Sequence, residues 1–206
     1  MASKRQLEIQ RWIDSREARL FESVRKAAGV VRHKCFISFH QADEDEVVHF
    51  IETFEEVFIP RVLGVSDEDE FVDSSDTNYV LRAIREKYLI DSTVTIVLVG
   101  KCTWARRYVD WEVYSTLRND PVNRRSGLMA VTLPSAANYE GKKLPPRVQD
   151  NVRGAKGDEG YARWWKYPTS GESLRSEIAS AFDARTSRAD LIDNSRERKL
   201  NNSPCP

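Results

Sequence analysis

The chain has 206 residues, and its 32 Lys and Arg residues balance 32 Asp and Glu residues. This length allows one sizeable core, and the neutral balance argues against general affinity for nucleic acid or for a membrane surface. Three cysteines without CxxC spacing indicate neither a disulfide framework nor a zinc site, so a reducing cytoplasm is the expected compartment. No apolar run reaches the roughly 18 residues of a membrane span, and the basic start lacks the apolar region of a signal peptide.

Residues 1–31 form a predicted helical extension outside the main fold. They are polar and rich in helix formers, and their apolar residues fall near helical spacing: Ile9, Trp12, Ile13, Leu20 and Val24. The helix could pack on the domain or on a second copy of the chain. Self-association is therefore left open by the sequence.

A βαβ unit is predicted to open the main domain, which spans 32–185. The apolar and aromatic run CFISF from Lys34 predicts the first strand, and the acids from Asp43 to Glu46 suit the first turn of the helix that follows. Pro60 is expected to end that helix before a short strand over 61–65. The loop 66–75 is too charged to be buried and is predicted to be mobile. Asp76 or Thr77 then caps a further helix up to Leu89.

The stretch from Asp91 to Leu117 is the most informative part of the chain. Residues 93–99 are β-branched or apolar and carry no charge, which predicts a strand buried on both faces. Thr103 is a plausible N-cap for a helix in which Trp104, Tyr108 and Glu112 recur at every fourth residue. These three side chains are therefore predicted to project from one side of a helix at the ligand-binding edge of the sheet.

The remaining elements complete an alternating α/β pattern. Residues 127–133 predict a fourth strand, 135–158 a long surface excursion, and 161–167 a fifth strand at the sheet edge. Ser170 caps the predicted last helix, and 186–206 is expected to be a disordered tail. The alternation predicts a flavodoxin-like fold, with a mostly parallel sheet of about five strands and helices on both faces.

Several common chemistries lack support. There is no GxGxxG or GxxxxGK[ST] loop for phosphates, and the acidic loop lacks the central Gly and terminal Glu of an EF-hand, so no metal site is expected. Ser38, His40 and Asp43 resemble a nucleophilic triad in composition, but residues two apart on a strand do not place a hydroxyl on an imidazole. Glu112 has two interpretations. Spacing alone favours a surface glutamate paired with Arg106 or Arg107, and the other interpretation is a carboxylate at the edge of an apolar cleft.

A family resemblance covers about residues 33–182. The segments KCFISFHQAD and DSTVTIVLVGKCTWARRYVDWEV, with VDWE after the buried strand, resemble the bacterial TIR-like domains of the Thoeris anti-phage defence type. The resemblance implies a cytoplasmic enzyme with NAD+ as substrate and no separate cofactor. Glu112 would be the catalytic residue for cleaving the nicotinamide–ribose bond, and the ADP-ribose moiety would become a cyclic or conjugated signal for a separate effector protein.

The resemblance also implies a set of substrate-binding residues. Ser38, Phe39, His40 and Asp43 would line the cleft beside Glu112. Trp104 and Tyr108 are further candidates, although aromatic residues at helical spacing are more often core. Two alternatives stay open. One is a non-catalytic TIR-type module that assembles through the acidic loop and the N-terminal helix, and the other is a different nucleoside-bond enzyme, such as a deoxyribosyltransferase, on a similar fold.

Overall fold

The computed structural model describes residues 31–62, 89, 91–119, 124–152 and 159–205. Within them lie the strands β1 (Lys34–Ser38), β2 (Ile59–Val62), β3 (Val94–Val99), β4 (Gly127–Thr132) and β5 (Arg163–Trp165). The α-helices are α1 (Glu44–Thr53), α2 (Arg107–Thr116), α3 (Pro134–Ala137), α4 (Pro146–Val152) and α5 (Gly171–Ser187). The predicted N-terminal helix, the acidic loop 66–75 and the helix predicted after it lie outside the described residues, apart from Leu89.

The five strands form one parallel sheet in the order β2-β1-β3-β4-β5. All six residues of β3 and all six of β4 are buried, as expected for central strands covered on both faces. Alternate side chains of β3 divide between two apolar clusters. Ile96 and Leu98 join the cluster that α1 and α5 cover, whereas Val97 and Val99 join the cluster beneath α2 and α4. The predicted flavodoxin-like α/β fold is confirmed.

The predicted ends of the helices are confirmed in one place and wrong in another. Ser170 caps α5 as predicted, because its hydroxyl accepts the Ser173 N–H at 3.2 Å. Pro60 does not end α1, which stops at Thr53. It lies inside β2 in register with Cys35, and β2 is the outer strand of the sheet in the described residues, where a missing N–H is tolerated.

The predicted surface excursion 135–158 is wrong for its described part, which contains α3 and α4. Helix α4 buries Val148 in the cluster beneath α2 and also buries Arg147 completely. The guanidinium of Arg147 donates from Nε to Asp110 Oδ1 of α2 at 2.9 Å. A buried ion pair that forms only between two helices leaves no signal in local composition.

The expectation of a disordered tail over 186–206 is wrong for its described part, residues 186–205. Helix α5 runs to Ser187, a 3-10 turn follows at Ala189–Leu191, and residues 193–205, here called the strap, lie along α2 and α4. Lys199 N–H donates to Asp110 Oδ2 at 2.8 Å, and the Trp111 indole donates to the Lys199 carbonyl at 2.8 Å. The polar composition of this segment predicts disorder, but its polar groups instead satisfy buried polar partners.

A disulfide joins Cys102 to Cys205, contrary to the expectation from cysteine spacing. The two residues are 103 positions apart in sequence, and their Cα atoms lie 5.7 Å apart. Short-range spacing carries no information about such a pair. Across the described ranges, no helix has the length and apolar character needed to cross a membrane.

Candidate active site

The carboxyl ends of β1 and β3 meet at one edge of the sheet, here called the rim. Strand β1 ends at Ser38, which is in register with Val97 of β3. Because the strands are parallel, the segments that follow them leave the sheet at the same edge, and this is where open α/β sheets bind ligands. The segment after β3 leads through a 3-10 turn, Thr103–Ala105, into α2.

Glu112 of α2 is buried at the rim, with only 5% of its surface exposed. Ser38 Oγ donates a hydrogen bond to Glu112 Oε2 at 2.5 Å, and Ser38 itself is fully buried. The described residues supply no hydrogen bond to the second carboxylate oxygen, Oε1. The interpretation of Glu112 as a surface residue is therefore wrong, and Arg107 lies instead over the rings of Tyr108 and Trp111.

Burial changes the acidity of Glu112. It raises the pKa of this carboxyl from 4.5 to about 8, because the ionised form loses its hydration, while the hydrogen bond from Ser38 lowers the pKa. At neutral pH the group is mostly protonated, and a positive charge placed beside it would favour ionisation. A carboxyl group with such a pKa at the rim of an α/β sheet is a candidate for a functional role.

Two threonines, Thr95 of β3 and Thr116 of α2, hold the part of α2 that carries Glu112 against the sheet. Thr116 Oγ1 donates to the backbone carbonyl of Glu112 at 2.9 Å and also lies 2.9 Å from Thr95 Oγ1 of β3. Val109 and Val113 of α2 pack in the cluster on the same side. Sequence reasoning did not select Thr95 and Thr116, although a hydroxyl in an otherwise apolar buried strand was an available signal.

A second carboxylate lies at the rim beyond the end of β3. Thr103 Oγ1 lies 3.3 Å from Asp43 Oδ2 and accepts the Gly100 N–H at 2.8 Å. A Cβ at Gly100 would be 2.1 Å from Asp43 Oδ2, so only glycine allows this approach. Burial raises the pKa of Asp43 to about 6, with the hydrogen bond from Thr103 acting to lower it. Thr103 therefore connects Gly100 to Asp43 at the rim. It does not cap α2, which begins at Arg107.

The other predicted site residues have mixed placements. His40 is half-buried in the turn that carries Asp43, and its carbonyl accepts the Asp43 N–H at 2.8 Å. Phe39 packs against the apolar cluster that α1 and α5 cover. Trp104 lies in the 3-10 turn before α2, so the predicted helical face with Tyr108 and Glu112 is wrong at its first member.

The two aromatic candidates, Trp104 and Tyr108, each contact a basic side chain, and Tyr108 also contacts a second aromatic ring. The ammonium group of Lys143 lies 4.9 Å from the centre of the Trp104 ring. The Tyr108 ring meets Trp111 edge-on at 5.4 Å, and its hydroxyl accepts from Arg107 at 2.6 Å. The structure thus joins Ser38 to Glu112 and Asp43 to Thr103. In the described residues, no group of three or more His, Cys, Asp or Glu side chains is placed to hold a metal ion.

The fold and site define a class of protein. A parallel five-stranded sheet in the order β2-β1-β3-β4-β5, covered by helices on both faces, is an α/β domain of the flavodoxin-like class. A family model described as the TIR-like domain of Thoeris protein ThsB matches residues 36–138, so the chain belongs to this family. Membership supports a role in anti-phage defence. The match includes Ser38, Asp43 and Glu112 but not the strap. No curated protein matches the chain.

Proposed function

We propose that this chain cleaves the nicotinamide–ribose bond of NAD+ and converts the ADP-ribose moiety into a cyclic or conjugated nucleotide, which a separate effector protein recognises in anti-phage defence. The observation that carries the proposal is Glu112, a buried carboxyl group at the rim that is oriented by Ser38 from the neighbouring strand. Membership of the Thoeris TIR-like family supports the same substrate.

The proposed reaction needs little machinery. The bond between ribose C1′ and the pyridinium nitrogen breaks, its electron pair stays with nitrogen, and nicotinamide leaves as a neutral molecule. No general acid is needed for that departure. The ribose becomes an oxocarbenium-like cation, which is captured by a nucleophile on the same nucleotide, on a second acceptor molecule or from water. The protein has to hold the ribose and stabilise the positive charge.

Glu112 is suited to that task once it is ionised. Its carboxylate would accept hydrogen bonds from the ribose hydroxyls and oppose the charge that develops at C1′, and a water-poor site strengthens this interaction. Because burial raises the pKa of Glu112 to about 8, the cationic substrate itself would promote ionisation on binding. Ser38 holds one carboxylate oxygen, and Oε1, to which the described residues donate no hydrogen bond, would bind the substrate. Asp43 supplies a second acceptor at the rim.

The direct test compares Glu112→Gln with wild type during incubation with NAD+, with nicotinamide release followed by chromatography. The matched control is Glu52→Gln, which changes an exposed glutamate of α1 in the same way. Loss of the ionised carboxylate should reduce the rate by at least about 100-fold, as expected for removal of a group that stabilises transition-state charge. The control should keep the wild-type rate.

Such enzymes can be silent until they are triggered, so the same variants are also compared in phage-infected cells. Equal nucleotide signal from wild type and Glu112→Gln would refute the proposal. Equal protection by the two proteins without a nucleotide signal from either would favour a non-catalytic assembly module. Base exchange by wild type on a panel of nucleosides, without NAD+ cleavage, would instead favour a deoxyribosyltransferase.

A further inference from the structure

The first half of the strap, residues 193–197, is held by buried polar groups. Arg147 donates from Nη1 to Asn194 Oδ1 at 2.9 Å and from Nη2 to the Glu197 carbonyl at 3.2 Å. Asn151 donates to the Asp193 carbonyl at 2.7 Å and accepts the Asp193 N–H at 3.0 Å. If this half detached, the guanidinium of Arg147 would lose acceptors inside the fold, so detachment is strongly disfavoured.

The second half of the strap, residues 202–205, reaches the rim. Asn202 Oδ1 accepts the N–H of Arg107, the first residue of α2, at 2.9 Å. Ser203 N–H donates to the Ala105 carbonyl at 2.9 Å, and Cys205 forms the disulfide with Cys102. The residue in the N-cap position of α2, Arg106, makes no side-chain cap of its own. Asn202 therefore satisfies, from a distant segment, one of the N–H groups that the first turn of a helix leaves without a partner inside the helix.

These contacts lie on both sides of Thr103 in the segment made of Cys102 and the 3-10 turn Thr103–Ala105, here called the rim turn. The disulfide holds Cys102 on one side, and the hydrogen bond from Ser203 holds Ala105 on the other. Thr103 between them binds the Gly100 N–H and lies 3.3 Å from Asp43 Oδ2. The helix that Asn202 caps carries Glu112. One segment outside the family match thus fixes the supports of both rim carboxyl groups.

We propose that the strap is a positioning element of the candidate site, in which Asn202 and the Cys102–Cys205 disulfide hold the rim turn and the first turn of α2, and that thiol reduction releases this hold. In the reductive step a dithiol reagent donates two electrons and two protons, the S–S bond breaks to give two cysteine thiols, and the reagent becomes its cyclic disulfide. The first half of the strap stays bound through Arg147 and Asn151, so reduction frees only the part at the rim.

The inference rests on the proposed function only for its effect on catalysis, so the first readouts do not use NAD+. Amide hydrogen exchange is measured at Arg107, and carbon-13 NMR follows the titration of the Glu112 carboxyl. The proteins compared are the oxidised wild type, the same protein in dithiothreitol, Cys205→Ser and Asn202→Ala. Asn202→Asp restores the cap acceptor, and Asn201→Ala is the control at the exposed neighbouring position.

Reduction, Cys205→Ser and Asn202→Ala should each speed exchange at Arg107 by about fivefold or more, since each loosens the cap. They should also lower the pKa of Glu112 from about 8 toward its ordinary value, because water gains access to a site that burial now keeps dry. Asn202→Asp should restore both properties, and Asn201→Ala should change neither. Unchanged exchange and titration after reduction and in Asn202→Ala would overturn the proposal.

Catalysis provides a separate readout. If wild type releases nicotinamide from NAD+, reduction and Asn202→Ala should lower kcat by about tenfold while KM changes by less than about twofold, as expected when the catalytic group is misplaced. Faster exchange with an unchanged kcat would overturn the positioning role. Absence of cleavage by wild type in triggered cells would count against the proposed function alone, because exchange and titration still decide the role of the strap.

Discussion

Replacing Glu112 by glutamine should make the protein more stable in mildly alkaline solution while removing the proposed activity. Glutamine keeps the size of the side chain and an oxygen that accepts the Ser38 hydroxyl, but it carries no charge. In the folded wild type, burial raises the pKa of Glu112 to about 8, whereas its ordinary value is 4.5. A raised pKa in the folded state gives stability that is present below the unfolded pKa and is lost as the pH rises through the folded pKa.

The size of the effect follows from the protons released. Between pH 6 and pH 8 the unfolded carboxyl is ionised and the folded one is mostly protonated, so unfolding releases close to one proton from Glu112. The free energy of unfolding then falls by about 1.4 kcal/mol per pH unit, and by about 2 kcal/mol over the interval, because the folded group begins to ionise near pH 8. Glutamine does not titrate. The variant should therefore gain about 2 kcal/mol on the wild type between these pH values.

Urea unfolding at pH 6, 7 and 8, followed by tryptophan fluorescence without NAD+, measures this difference. Contributions from other titrating groups such as Asp43 are present in both proteins and largely cancel. Glu52→Gln, on the exposed side of α1, should follow the pH dependence of wild type. Parallel plots of unfolding free energy against pH for wild type and Glu112→Gln would refute the reasoning, since they would mean that Glu112 is not held in a dry environment.

Three further substitutions test other contacts. Ser38→Ala removes a hydrogen bond that lowers the pKa of Glu112, so this pKa should rise. The pH at which kcat/KM for NAD+ cleavage increases should therefore move upward from its wild-type value, and an unchanged pH profile would contradict this. Gly100→Ala places a Cβ 2.1 Å from Asp43 Oδ2 and should cost about 1–3 kcal/mol in urea unfolding, so wild-type stability would count against the close approach. Arg147→Met leaves a buried aspartate unpaired and should cost about 3–5 kcal/mol by thermal and urea unfolding, and a loss below about 1 kcal/mol would show that the ion pair is not buried.

The sequence predicted the parts of the fold whose signals are local. The uncharged apolar run of β3 predicted a strand buried on both faces, because such a composition is unfavourable anywhere else. Ser170 predicted the start of α5, since its cap depends on residues only three positions apart. Pro60 misled the prediction, because whether proline ends a helix or sits in an outer strand depends on the neighbouring strand.

For the candidate site, too, the sequence carried the local signals but not the contacts between distant residues. Spacing nominated Glu112 but favoured a surface role, because the exposure of a helical side chain depends on which face meets the sheet. The hydrogen bond from Ser38 joins residues 74 positions apart, so no local pattern contains it. The family resemblance is the source of the catalytic role that we propose for Glu112, which spacing left open. Spacing also predicted Trp104 on the helical face of Glu112, whereas the structure places Trp104 in the turn before α2, outside the helix.

By itself, the sequence determined an alternating α/β domain with a parallel sheet, and it placed Glu112 near the ligand-binding rim, because hydrophobic period and β-branched composition act over a few residues. Only the tertiary structure decided that Glu112 is buried against Ser38 and that the strap is ordered along α2. The strap is polar, and its order depends on acceptors and donors such as Asp110 and Asn151, which lie more than 40 positions away in sequence. Such pairings exist only once the chain has folded, so composition alone made this segment resemble a disordered tail.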